Sequence, residues 1–294
     1  FDLTQQGYES DENYYRLQGM DPDGRRNPDR DIMVDIDNLI DYMLIIFYGG
    51  NFDAPVSKFL SNKKPNNFFA IYDRRGGMGF RFFVHDAEHT LLTRPFGPGI
   101  GLEENRVNIG NLNGGERMTV SAFENFHPQW LHHRLTAHPD YRARFADRVQ
   151  QHFFDGGALT AAAALTRFLR RAAQIETAII AESARWGDAH ADRARTQRDW
   201  REGIDHLVDN YFPLRGDIVL GQLQDAGLFP TVFRAIFAMA EGPIAEAVRK
   251  VPAGTGVIVE NPNGNGRIFY TLDGSDPRLP DGRPSPAAQT ALAA

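Results

Sequence analysis

The chain has no cysteine among its 294 residues. Disulfides, thiolate zinc sites and cysteine nucleophiles are therefore excluded. Long apolar runs are missing too. The longest strongly apolar run, Tyr42 to Tyr48, is far too short to span a bilayer, and the start carries no signal-peptide pattern. No long run of like charge occurs, and the formal net charge is −6. A nucleic-acid surface, which needs clustered basic groups, is not expected. No internal repeat is evident. The chain opens at Phe1 without Met, which leads us to expect a fragment.

What is present is enough apolar material for a core, 42% of residues. Residues 1–31 are polar and rich in turn signals, and read as an exposed loop. Asp21 and Asp23 are spaced like part of a calcium loop but lack its third acid and distal Glu. Residues 35–48 read as a central helix. Ile36, Leu39, Ile40, Met43, Leu44 and Phe47 share one face, with Asp37, Asn38 and Asp41 opposite. Asp35 can cap the start, and Gly49-Gly50 stops the helix.

The residues after it carry the chemistry. Asn51 and Asp53 follow the helix in a loop. Strands are expected at 68–72 and 79–84, joined by Asp73-Arg74-Arg75-Gly76-Gly77. This hairpin returns the chain towards the helix end, so Asn67 before one strand and Asp86 after the other can be neighbours. A loop acid, an amide and a second acid in this order are the minimum set for phosphoryl transfer. One carboxylate takes the acceptor's proton, and the other holds magnesium with hard oxygen partners. The bland alternative is that Asp53, Asn67 and Asp86 are turn and cap residues.

Further along, 94–116 reads as a long Gly-, Asn- and Pro-rich surface segment. Helices are expected at about 139–153, 160–186, 198–211 and 216–226. In the second of these, Leu165, Phe168, Leu169, Ala172, Ile175, Ile179 and Trp186 share a face, with Thr160 as cap. A composition shift near Pro252 opens a β-rich segment, with strands expected near 255–259 and 266–271. The tail after Asp281 reads as disordered.

Seven short stretches carry a family resemblance. They are Asp35 to Tyr42 with Gly50-Asn51-Phe52-Asp53, Asn66-Asn67-Phe68-Phe69, Arg81 to Glu88, and the helical segments around His127-Pro128-Gln129-Trp130-Leu131, Phe145 to Val149 and Ile180 to Asp188. Together they resemble the spore-coat CotH kinase family over roughly residues 1–230. The resemblance implies an α+β fold: a kinase-like, mainly helical C-terminal lobe with a β-hairpin at the active site. It implies a secreted or surface-associated atypical protein kinase that uses ATP and Mg2+ or another divalent cation, and acts on Ser/Thr of protein substrates. By motif match Asp53 is the catalytic-loop acid and Asp86 the metal-binding acid. Asn67 is the second metal ligand, with Asn66 as fallback. Glu88 is a further candidate metal ligand, and Asn51 a cofactor-side or loop-orienting residue.

Two departures accompany the match. Lys58 falls where the strict kinase loop has its Asn. No Gly-rich phosphate cover or lysine precedes Asp35, so the N-terminal lobe is expected to be missing and activity from this stretch weak or absent. Other candidates weigh towards structural roles: His85 and His89 over zinc, and His127, His132 and His133 beside Trp130 over a site. The same holds for Arg74, Arg75, Arg81 and Arg94 over phosphate contacts.

After a linker at 231–251, residues 252–294 contain Ile268 to Arg278, which resembles the start of a chitobiase/β-hexosaminidase C-terminal domain. That implies an incomplete immunoglobulin-like β segment and association with a cell surface or polysaccharide. Asp273 and Asp276 read as turn formers rather than catalysts. A non-catalytic surface scaffold is the rival to the kinase reading, and a carbohydrate-active protein a more distant one.

Overall fold

The structure is a computed structural model and describes residues 1–74, 77–108, 126–189, 192–232, 234–240, 242–243, 250–279 and 283–291. Helix α3, Ile36–Gly49, is its axis. Asp35 caps it by accepting from Asn38 N–H, as its position predicts. The anticipated face is buried throughout, from Ile36 through Leu39, Ile40, Met43 and Leu44 to Phe47. Burial extends past that stripe to Tyr42, Ile46 and Tyr48, because other elements cover the flanks. The polar face is not left to solvent either. Asp37 pairs with Arg144 at 2.6 Å, and Asp41 with Arg148 and with His152 at 2.9 Å.

The partners of α3 are mostly helices: α4 (Pro128–Leu135), α5 (Pro139–Phe153) and α8 (Phe212–Asp225). From α5, Tyr141, Phe145 and Val149 enter the core at helical spacing, and each is fully buried. Helix α6, Ala161–Trp186, packs with α7 (Gln197–Asn210) and α8. Phe168 stacks on Phe212 at 5.0 Å, but Leu169 and Trp186 from the expected α6 face are exposed. Only Ala164 and Ala172 of that helix are buried, so its apolar stripe is covered in part.

Two helices lie where a polar loop is expected. They are α1, Asp2–Gln6, and α2, Asp11–Leu17, the latter capped by Ser10. Tyr8, Tyr14 and Leu17 join the core. The turn signals hid them because the apolar positions here are tyrosines, which read as ambiguous until packed. Asp21 and Asp23 sit in the following loop. Asp21 accepts from Asn27 and pairs with Arg30, and Asp23 pairs with Arg25.

The hairpin expected after the Asp53 loop forms as β1 (Phe68–Ile71) and β2 (Arg81–Val84). It is antiparallel, with Phe69 opposite Phe83. Asn38 of α3 clamps it: its Oδ1 accepts from Phe82 N–H at 2.6 Å and its Nδ2 donates to Phe82 carbonyl at 3.3 Å. Gly79 allows β2 to start against the chain before α3, since a Cβ there would lie 2.3 Å from Val34 N. The alternation sends Phe82 inward, while Phe69, Ile71 and Phe83 stay exposed. Arg75 and Gly76 of the turn, and 109–116 of the long segment, fall outside the described residues.

The C-terminal part is β-rich, with a boundary unlike the expected one. Strand β3, Ile236–Met239, lies inside the expected linker. It pairs with both β4, Gly242–Pro243, and β5, Ile258–Glu260. Within the expected disordered tail, β7, Gln289–Thr290, pairs with β6, Phe269–Tyr270. Among the described residues these strands form a three-stranded and a two-stranded antiparallel sheet, an α+β arrangement overall. Asp273 accepts from Ser275 N–H and hydroxyl, and Asp276 from Arg278 N–H, so both acids close turns as read from the sequence. No helix among the described residues is long and apolar enough to cross a membrane.

Candidate functional site

The site grows from the way α3 ends. Gly50 adopts φ 62°, the left-handed conformation that lets its N–H and that of Asn51 turn back onto the Ile46 and Phe47 carbonyls. The Gly49 carbonyl accepts from Leu91 N–H, and Arg215 of α8, which is fully buried, adds donors at the helix end. Its guanidinium donates to the carbonyls of Tyr48 (2.9 Å), Phe47 (2.5 Å), Leu102 (2.5 Å) and Glu104 (2.8 Å). A cation at a helix C-terminus also meets the negative end of the helix dipole. The loop that leaves α3 therefore starts from a fixed point.

Asn51 is 1% exposed, and its Oδ1 accepts from Asp53 N–H at 3.0 Å. This orients the loop, the role weighed for Asn51 from sequence. Asp53 is itself only 7% exposed. Its Oδ1 accepts from the Ser57 hydroxyl and its Oδ2 from Asn67 Nδ2 at 2.8 Å. The hairpin thus returns Asn67 to Asp53. Asn67 takes φ 48°, a left-handed value that Asn tolerates well.

Beneath the loop lies a buried charge network that sequence reasoning missed. Arg106 is fully buried and donates to Val56 carbonyl at 2.6 Å and Asn62 Oδ1 at 3.1 Å. Glu104 accepts from Ile100 N–H at 3.0 Å and meets Lys58 Nζ at 2.5 Å. Burial pushes the Arg106 pKa down to about 10, while the nearby carboxylates of Glu104 and Asp53 favour its charge. Arg106 thus remains a cation at neutral pH, close to Asp53. Lys58, read as sitting where a metal-binding Asn belongs, is committed to Glu104. Only the isolated position of Arg106 in a polar stretch could have hinted at this role.

Three metal-binding side chains converge at the loop surface. Asp53, Glu88 and His89 each offer a ligand atom within 4.8 Å of the others. His89 Nε2 is 3.5 Å from Glu88 Oε1, and the His89 ring stacks on Phe52 at 4.7 Å between centroids. Of the expected metal set, Glu88 joins Asp53, and Asn67 reaches it by hydrogen bond. Asp86 is exposed, at φ 48°, and lies outside this group. His89, weighed as structural, belongs to the group, whereas His85 is exposed and packs edge-on against Phe69. Asn66 donates its backbone N–H to Pro55 carbonyl. Arg81 pairs with Asp35 at 3.3 Å, while Arg74 and Arg94 are exposed.

His127 and His132 have structural roles at α4. His127 caps that helix, its Nδ1 accepting from Trp130 N–H, and His132 Nδ1 bonds the Tyr141 hydroxyl at 2.7 Å. Burial drives the His127 pKa down to about 3 and that of His132 well below its ordinary value, so both are neutral.

Comparison of the chain with protein families, with curated proteins and with solved structures finds no match.

Proposed function

We propose that residues 1–230 act as the helical lobe of an atypical protein kinase of the type this chain resembles. It transfers the ATP γ-phosphate to Ser/Thr hydroxyls of extracytoplasmic or surface proteins, with the C-terminal β segment aiding surface or polysaccharide association. The observation that carries the reading is the contact between Asp53 and Asn67 at 2.8 Å, beside Glu88 and His89. A loop acid fixed on a core helix and bridged to an amide from a hairpin supports the reading, since phosphoryl transfer rests on positioning.

In this reading Asp53 accepts the proton of the acceptor hydroxyl as the new O–P bond forms and the bond to the β-phosphate oxygen breaks, releasing ADP. Ser57 and Asn67 hold its carboxylate in one orientation. Each carboxylate oxygen keeps a free lone pair after those bonds, so a cation can also be met there. The donor set fits a divalent ion. With one imidazole it suits Mn2+ better than Mg2+, which favours all-oxygen surroundings. Held by Asp53, Glu88 and His89, such an ion would neutralise charge on the phosphates. Asp86, exposed on the loop that follows β2, would be the acid that holds a metal ion against the phosphates.

The test is ATP binding and phosphotransfer by the full-length protein with Mn2+ or Mg2+, using wild type, Asp53→Asn and Asp86→Ala. Binding with metal, and transfer lost in Asp53→Asn without loss of fold, supports the kinase reading. Absence of nucleotide binding with either cation favours the surface scaffold instead. Transfer retained in Asp86→Ala removes Asp86 from the mechanism.

A further inference from the structure

Strand β1 is covered along one edge only. It pairs with β2, and among the described residues no second strand joins it. Which main-chain groups face the open edge follows from β2. Phe80 donates to Met33 carbonyl and accepts from Asp35 N–H, and Asn38 holds both the N–H and the carbonyl of Phe82. Phe80 and Phe82 therefore point away from β1, and the alternation of an antiparallel ladder turns Arg81 and Phe83 towards it. Their partners Ile71 and Phe69 commit their N–H and carbonyl to β2. Phe68 and Ala70 are left with N–H and carbonyl aimed outwards, and no further hydrogen bond reaches them among the described residues. The side chains beside this edge are open as well, Phe69 by 57% and Ile71 by 62%.

An open edge of this kind is a template for an extended strand, which supplies the missing main-chain partners. The edge also sets the register of its guest. Residues opposite Phe69 and Ile71 share their face, so apolar side chains fit there. Residues opposite Phe68 and Ala70 exchange the main-chain bonds. The edge leads to the candidate site, because Asn67 directly precedes β1 and donates to Asp53 at 2.8 Å. A strand laid antiparallel to β1 passes Ile71 first and Asn67 last, and so delivers its next residue to Asp53. An edge of 4 residues is too short to bury the roughly 1,000 Å2 expected of a stable interface. It suits a substrate that binds and leaves better than a permanent second copy.

We propose that the outer edge of β1 docks the protein substrate as an extended strand of the pattern apolar-x-apolar-x-Ser/Thr, antiparallel to β1, with the hydroxyl beside Asn67 and Asp53. The hydroxyl's part as phosphate acceptor rests on the kinase reading, whereas the strand pairing does not.

The probe is the end-blocked peptide Val-Gln-Val-Gln-Ser-Gln, titrated into the full chain without ATP and followed by NMR and amide hydrogen exchange. Binding should be saturable and should slow exchange at Phe68 and Ala70 N–H, while Phe69 and Ile71 N–H, already bonded to β2, keep their rates. N-methylation of the first two glutamines, which lie opposite Ala70 and Phe68, should weaken binding about 5- to 150-fold, the range for two neutral hydrogen bonds. N-methylation of the two valines, whose N–H groups point away from β1, should leave binding unchanged. Both changes are made in the peptide, so the fold of the protein is untouched. Absence of saturable binding overturns the proposal, as do equal losses from the two methylation patterns. Protection of Phe68 and Ala70 in a concentration-dependent dimer without peptide assigns the edge to a second copy and also overturns it. Phosphotransfer by the full-length protein to the same peptides separates the two readings. A peptide that binds in this register and is never phosphorylated sinks the kinase reading and leaves the docking strand standing. Equal phosphorylation of the peptide methylated at its glutamines sinks the docking strand and leaves the kinase reading standing.

Discussion

Arg215→Met tests whether the end of α3 is held by a side chain or merely by packing. The guanidinium serves four carbonyls, two from the last turn of α3 and two from residues 102–104. Methionine fills much of the space and donates nothing. Tyr48 carbonyl keeps the Tyr211 hydroxyl and Phe47 carbonyl keeps the Gly50 N–H, so neither is orphaned. Leu102 and Glu104 carbonyls each lose the guanidinium as a donor. Hydrogen bonds to a charged donor contribute about 1.5–3 kcal/mol each. Against this, the folded protein no longer buries a cation, and that desolvation is expensive. Burial already pulls the Arg215 pKa below its ordinary value. Setting two bonds against one desolvation leaves a loss of about 2–4 kcal/mol. At about 2–4 °C per kcal/mol for a domain of this size, the melting temperature should fall by roughly 4–16 °C. Urea denaturation and a thermal melt measure this. Arg198→Ala is the control, because its pair with Glu202 is exposed and should contribute less than about 0.5 kcal/mol. Arg215→Lys should fall between, since an ammonium has three donors in a less suitable geometry. A loss below about 1 kcal/mol for Arg215→Met, in the range of an average substitution, would refute the capping argument.

Two further substitutions probe buried groups. His127→Asn keeps a good N-cap for α4 but removes a group whose folded pKa of about 3 lies below the unfolded value near 6.5. Between those values the unfolded chain binds the proton and the folded chain does not, so stability rises with pH across that window. The variant should show a slope lower by up to about 1.4 kcal/mol per pH unit there, read from urea midpoints at pH 4, 5 and 6. An unchanged slope would show that His127 is charged in the folded state. Tyr42→Phe removes a hydroxyl that is buried and has no partner among the described residues. It should leave stability unchanged or raise it by up to about 1 kcal/mol, and a loss above that in thermal melts would reveal a hidden partner.

The elements legible in the sequence are those in which local pattern and tertiary demand coincide. Helix α3 announces itself because six apolar residues recur on one face and Asp35 and Gly50 punctuate it. The hairpin does so because β-branched and aromatic residues alternate around a Gly-rich turn. Helix α2 and helix α4 do not. Their buried positions include Tyr14, Gln129 and His132, side chains that take burial only when a specific partner satisfies them. The β pairing of Ile236–Met239 with Ile258–Glu260 spans a segment that composition marks as linker, and register between distant strands leaves little local trace.

The site divides in the same way. Asp53, Asn51 and Asn67 could be grouped from order along the chain, because a hairpin must return its ends to one place. Glu88 could be included by its nearness to that return. His89 could not be separated from His85 on sequence alone, since alternate positions after a strand differ in direction by one peptide. The structure separates them: His89 packs on Phe52 beside Asp53, and His85 lies on the exposed face against Phe69. Arg106 and Arg215 were invisible for a different reason. Arginine is almost always read as surface, and its burial depends on carbonyls delivered by segments some 50 to 170 residues away. These two cations fix the loop on which Asp53 stands, one from beneath through the Val56 carbonyl and one from behind through the end of α3. The catalytic candidate is therefore held by residues that no motif contains. That is why Arg215→Met should loosen Asn51 and Asp53 as well as the helix, a coupling that amide exchange at Asp53 N–H can read directly.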